Sequence, residues 1–273
     1  MTSARVGYRY LRPIGRNSFR GHLRQEGFST AQVLRTNRDA TGWGLPLHCD
    51  GDPGSVLGRN LAEVFDPAVG VTEPAARVLD HALHDLAGRI LDLPVHAMLG
   101  ASGATPRCYS GGIYFADLDP DGDPAGLAAI AADLDQDHEF GFHDFKLKLG
   151  RGFRWMNPAD GLARDIEVTR FTRERFPHAH ILVDPNDAYS PRTVATYLGA
   201  VADCDLYWLE EPFPERIEDL RFLHELPNRP LIADGEYEPN EAHVLRLARE
   251  KLLDVALMDV LDYGVTAWRR VMP

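Results

Sequence analysis

The chain has 273 residues and a formal charge of −12, with 44% hydrophobic and 26% charged residues. That is the make-up of a soluble globular protein of one large or two ordinary domains. The acidic surplus argues against nucleic acid as a partner, since phosphates need basic patches. No apolar run is long enough to cross a bilayer and no basic-then-apolar leader opens the chain, so no membrane partner is expected. Cys49, Cys108 and Cys204 stand at no metal-ligand spacing, and an odd, sparse set suits a reducing cytoplasm.

Val6, Tyr8 and Tyr10 alternate, and residues 32–35 lead through Asn37-Arg38-Asp39 to Gly42-Trp43-Gly44, so β structure is expected through about residue 45. Between them, from about 14 to 28, a Gly-, Arg- and polar-rich stretch reads as a loop. From Thr72 the period changes. Ala76, Leu79, Leu83, Leu86 and Ile90 recur at three- and four-residue steps, predicting a helix with Thr72 as its N-cap. Residues 100–105 are small and polar, which sets an expected boundary between an α+β domain over 1–104 and a second domain over 105–273.

Strands are expected beyond it at 108–114, 144–149, 181–184, 206–210, 231–236 and 255–259, with helical patterns between. Ser190-Pro191 caps and opens one helix, with Val194, Leu198 and Val201 on a single face. Strands alternating with helices argue a parallel sheet. Acids closing the strands favour a (β/α) barrel over a doubly wound sheet, and no glycine-rich dinucleotide fingerprint follows any strand.

Those acids keep an even interval: Asp184, Glu210 and Glu236 each come 26 residues after the last, behind short apolar runs. A βαβ unit takes roughly 30 residues. Successive strands would therefore bring one acid each to the same rim, where they would repel unless a divalent metal lay among them. Glu211, facing away from Glu210 by strand alternation, reads as a supporting acid, while Asp234 shares a face with Glu236 and competes with it. Upstream, Lys146 and Lys148 share one face of a strand whose other face is Phe145, Leu147 and Leu149. They lie roughly 6.6 Å apart by strand rise. Two like charges there repel by about 2.5 kcal/mol, enough to bring a lysine down toward neutrality as a general base. The alternative is a pair of solvated lysines on an edge strand.

Lys146-x-Lys148, Asp184-x-Asn186, Glu210-Glu211-Pro212, Gly235-Glu236 and Met258-Asp259, in that order, resemble the signature of the enolase superfamily, mandelate racemase and muconate lactonizing type. The helix over 82–88 and Gly42-Trp43-Gly44 resemble its capping domain. The resemblance implies an α/β fold, an α+β capping domain followed by a (β/α) TIM-type barrel. It implies Mg²⁺ on Asp184, Glu210 and Glu236, the Gly-Glu pair favouring Glu236 over Asp234. Lys148 would remove the α-proton of a small carboxylate substrate to give an enediolate, with Lys146 offsetting the developing charge. Asn186 would lie beside metal or substrate, a plain turn residue after Pro185 being the alternative. Sugar-acid dehydration or α-hydroxy-acid racemisation is implied. The polar loop with Arg16, Asn17, Arg20 and His22 tilts toward sugar acids, unless those are solvated loop charges. Homo-oligomers are compatible with all of this.

The resemblance also implies eight barrel strands, and the chain offers about six. Asp259 matches the acid that closes strand six and orients a histidine on strand seven, but no histidine follows His243. The expectation is an incomplete, C-terminally truncated barrel of reduced stability and little turnover. The alternative function is a non-catalytic remnant that keeps the metal.

Overall fold

The computed structural model describes residues 1–101, 103, 105–236 and 239–271. The chain opens with an antiparallel sheet of β1 (Thr2–Ile14), β2 (Arg24–Arg35) and β3 (Thr41–Gly44), in that order. The β1–β2 register runs from Thr2↔Val33 to Arg9↔Glu26 and shifts before Ile14↔Arg24. The loop expected over 14–28 is therefore shorter at its far end, since Glu26, Gly27 and Phe28 pair with Arg9, Tyr8 and Gly7. β3 approaches helix α1 (Asp80–Leu91) so closely that a Cβ on Gly42 would strike the Leu86 backbone. That close approach is what the Gly-Trp-Gly spacing serves.

A small hairpin of β4 (Phe65–Asp66) and β5 (Gly70–Val71) precedes α1. Thr72 does not cap the helix. Its N–H donates to the Val64 carbonyl at 3.0 Å, and the chain first makes a 3-10 turn at Pro74–Leu79, where proline fixes the opening φ. Ala76, Leu79, Leu83 and Leu86 are buried as expected. Ile90 is 49% exposed, because the cluster it would join ends at Leu86 and Ala87. Helix α2 (Val95–Met98) leads to the expected boundary, of which Ser102 and Ala104 lie outside the described residues.

The second part is a six-stranded parallel sheet in chain order: β6 (Ser110–Ile113), β7 (Phe145–Lys148), β8 (Ile181–Asp184), β9 (Trp208–Glu210), β10 (Leu231–Asp234) and β11 (Val255–Ala256). Each crossover is helical. α3 (Leu127–Phe140) joins the first pair, α4 (Arg151–Arg154) and α5 (Pro158–Arg175) the second, and α6 (Pro191–Ala200), α7 (Ile217–Glu225) and α8 (Glu241–Arg249) the rest. α9 (Val260–Val271) follows β11, and Met272 and Pro273 lie outside the described residues. All but one of the strands are shorter than expected, since ladder pairing stops where the chain turns over the rim. The 255–259 run keeps two strand residues, and β10 ends before Glu236.

Alternation then sorts the side chains. Phe145, Leu147, Ile181, Val183, Leu209 and Ile232 pack against the helices in one cluster with Ile130, Val194 and Leu220. The Ser190 hydroxyl accepts the Thr193 N–H at 3.2 Å, as its capping position predicts. The sheet is linear, with β6 and β11 at its edges: an incomplete TIM-type barrel. Several contacts hold it to the first part. Arg12 of β1 reaches Asp133 at 2.9 Å and Asp137 at 2.8 Å on α3, and Thr266 of α9 donates its N–H to buried Asp80 at 3.1 Å. Among the described residues no helix is long and apolar enough to cross a membrane.

Candidate active site

The register Lys148↔Asp184 and Lys146↔Leu182↔Trp208 sets the inner-face residues of β7, β8 and β9 side by side at their C-terminal ends. Lys148 Nζ contacts Asp184 Oδ2 directly, and Lys146 Nζ contacts Glu210 Oε1 while lying 3.2 Å from Asp184 Oδ2. Asp184 and Glu210 are wholly buried, and Lys148 is 8% exposed. The remaining oxygens have donors too: the Asn186 N–H reaches Asp184 Oδ1 at 2.9 Å, and Trp208 Nε1 reaches Glu210 Oε2 at 3.1 Å. The edge-strand reading of the lysines does not hold, since β7 is an interior strand and both ammoniums are paired with buried acids.

The electrostatics differ from the Lys–Lys expectation. Burial lowers the Lys146 pKa, but Glu210 and Asp184 raise it by more, so this lysine is held above its ordinary value. Repulsion between two lysines of one strand is outweighed here by the acids of the next two strands. On Asp184, burial raises the pKa, and Lys148 and Lys146 outweigh it and hold the carboxyl low. Glu210 goes the other way, pushed up to about 7 by burial and by Asp184 against the pull of Lys146. Two ammoniums thus satisfy Asp184 and leave the rim acid-heavy.

Glu236 lies two residues beyond β10, half-buried. Burial raises its pKa first, with Lys146 opposing and Asp184 adding to the rise, so it shares the field of the other acids. Among the described residues no three His, Cys, Asp or Glu side chains stand grouped for a metal as they are, and Lys146 bridges Glu210 and Asp184 instead. Asp234 is buried, and burial and the neighbouring Glu215 raise its pKa well above the usual range. Its Oδ1 accepts the Gly235 N–H at 2.9 Å, and the charge of Glu211 also reaches it. Asp259 is exposed and accepts the Leu261 N–H at 2.7 Å, opening α9, and His243 of α8 pairs with Glu215.

Glu211 corrects the alternation argument. Its backbone turns left-handed at φ 38, so it does not continue the strand. The side chain is 5% exposed and accepts from Asn186 Nδ2 at 3.2 Å, and burial, Glu236, Asp184 and Asp187 push it up to about 8. Asn186 is the expected turn residue. It adopts φ 48 in the turn, and its amide joins Glu211 to Asn17, whose Nδ2 donates at 2.9 Å from the 15–23 loop. Sequence reasoning missed Trp208, although its place two residues before Glu210 puts it on the same face. It also missed Arg151, wholly buried after β7, whose Nη1 donates to the Lys148 carbonyl at 3.3 Å.

Residues 129–273, just over half of the chain, match the family model described as "Enolase C-terminal domain-like". The chain belongs to this family. A D-galactonate dehydratase family member from Oceanicola granulosus is 27% identical over 235 residues, covering 74% of this chain. The chain spans 55% of that relative's length. A galacturonate dehydratase from Geobacillus sp., solved with D-galacturonate and 5-keto-4-deoxy-D-galacturonate, superposes with a TM-score of 0.87 at 29% identity, over 97% of this chain and 72% of that one. A mandelate racemase/muconate lactonizing protein from Geobacillus sp. Y412MC10, solved with magnesium and tartrate, gives 0.85 at 29% identity over the same shares. This enolase-superfamily chain thus spans only part of these relatives' length, and the superpositions take in its first part as well as the six-stranded sheet.

Proposed function

We propose that this chain carries the metal-binding and proton-abstracting part of an enzyme that removes the α-proton of a carboxylate substrate. The observation that supports this most is the pairing of Lys148 and Lys146 with Asp184 and Glu210 on one inner face, within an acid surplus that two ammoniums do not neutralise. Such a donor set suits a hard divalent cation that prefers oxygen, and Asp184, Glu210 and Glu236 would hold Mg²⁺. When bound, the ion draws electron density from a substrate carboxylate and so eases ionisation of the neighbouring C–H. Lys148, released from Asp184, would take that proton. The Lys146 ammonium would offset charge building on the substrate oxygens as the enediolate forms, and Asn186 would orient substrate from the turn beside it.

Dehydration of a sugar acid is the favoured reaction and racemisation of an α-hydroxy acid the second. The names of the relatives support the first, as does the 15–23 loop, which carries Arg16, Asn17, Arg20 and His22 and is bonded to the site through Asn17. Residues 1–104 would serve as the cap and 105–273 as the catalytic part. A remnant that binds metal without turnover is the second reading, favoured by Lys146 and Lys148 standing paired with Glu210 and Asp184.

Calorimetric Mg²⁺ titration and deuterium exchange at the α-carbon of a panel of acid sugars test both. Binding that disappears in Glu210→Gln, with exchange lowered at least about 100-fold in Lys148→Met, is expected. Binding without exchange selects the remnant. No binding by the unaltered chain overturns the proposal.

A further inference from the structure

Glu236 is the one proposed ligand that no strand holds. β10 ends at Asp234, and the chain leaves through Gly235 at φ 114, a conformation natural to glycine alone. A carboxylate on such a turn has a defined place only if the backbone beneath it is fixed from elsewhere. Tyr263 does this. Its side chain is 1% exposed, and its hydroxyl donates to the Gly235 carbonyl at 2.6 Å and accepts the Asn240 N–H at 3.1 Å. One oxygen atom thus brackets the segment bearing Glu236 on both sides, while the Gly235 N–H is taken by Asp234 Oδ1 at 2.9 Å.

Tyr263 is in turn anchored by the first part of the chain. It lies on α9 next to the kink at Gly264, where a Cβ would come within 2.6 Å of the Asp80 carboxylate. Three residues on, the Thr266 hydroxyl contacts Asp80 Oδ1 and accepts the Val71 N–H at 2.9 Å. A continuous run of hydrogen bonds and packing therefore leads from α1 and β5, through α9, to the Gly235 carbonyl.

We infer that Tyr263 is a positioning residue for the Glu236 carboxylate, through which the cap's hold on α9 sets the third ligand arm. This rests on the proposal that Asp184, Glu210 and Glu236 hold a divalent cation. Groups hydrogen-bonded directly to a metal ligand change its affinity by roughly 10- to 100-fold when lost, and Tyr263, which holds the backbone one residue before the ligand, takes the lower end of that range.

The test is a Mn²⁺ titration read by electron paramagnetic resonance on the full chain, with metal-free melting recorded in parallel. Tyr263→Phe removes the oxygen and keeps the ring. The expected result is an apparent Kd raised about tenfold, with metal-free melting close to the unaltered chain. Incorporating p-aminophenylalanine at position 263 returns a donor to the Gly235 carbonyl and should recover most of the affinity. Unchanged affinity in Tyr263→Phe overturns the inference. So does a loss of affinity that follows a loss of fold and is not recovered by the amino analogue, because Tyr263 would then be a packing residue only. If the unaltered chain takes up no Mn²⁺ while folded, the metal reading fails and this inference with it.

Discussion

Two buried groups of charge lie three residues apart on the chain and behave differently. Around Arg151, every carboxylate oxygen has a donor. Its guanidinium meets Asp117 at 2.7 Å and Asp165 at 2.8 Å and stacks over Phe115 at 4.3 Å, while Asp165 Oδ2 also takes the Gly150 N–H and the Tyr189 hydroxyl. Around Lys148, Asp184 and Glu210 are similarly served, but Glu211 has a single donor and, among the described residues, Glu236 has none. Burial of charge is common to both. What separates a structural group from a reactive one is the unanswered demand for cation and donor, which a folded chain tolerates where a ligand is to supply it.

The sharpest way to break that comparison is Arg151→Met. It leaves Asp117 and Asp165 buried without their cation, and urea denaturation should show a loss of about 3–5 kcal/mol. A loss under about 1 kcal/mol would mean that the two groups do not differ as described. Glu211→Gln probes the other side. Because the folded chain holds Glu211 up at about 8, it binds that proton more tightly than the unfolded chain does. This contribution is therefore complete below the ordinary glutamate range and is lost as pH rises toward 8. Metal-free wild-type protein should lose about 4 kcal/mol more than Glu211→Gln between pH 5 and pH 8.5. Parallel stability profiles would count against an acid surplus at the rim.

Arg12 is the intermediate case, one cation shared by Asp133 and Asp137. Burial and Asp137 push Asp133 up to about 6 against the pull of Arg12. The sign is the same, so Asp133→Asn should gain on wild type by about 2 kcal/mol as pH rises from 4.5 to 7, measured as the difference in thermal melting. An Asp133→Asn chain that loses stability at pH 7 would show the Arg12 pair to be net favourable.

Much of the barrel was legible because its signals are local and repeated. Apolar runs ending in Asp184 and Glu210 at a constant interval state the strand, its direction and its rim together, and Lys146-x-Lys148 states a face. What escaped depended on conformation or on distant chain. Strand alternation sent Glu211 outward because nothing in Glu210-Glu211-Pro212 declares a left-handed residue. Thr72 looked like a cap because capping preference does not see that Pro74 opens a tighter turn two residues later. The charge state of Lys146 is set by acids 38 and 64 residues downstream in the chain, which no argument from one strand contains. The role of Tyr263 likewise needs α9 folded back upon α1 before its hydroxyl has anything to hold.

The bond from Arg151 to the Lys148 carbonyl gives the quiet group authority over the restless one. The backbone that bears the proposed base is clamped to a guanidinium already locked by two acids, so the amine can swing on its stem while its root stays still. Selection for a new substrate should accordingly leave position 151 untouched and find its variety in the 15–23 loop, where a change of side chain costs the root nothing.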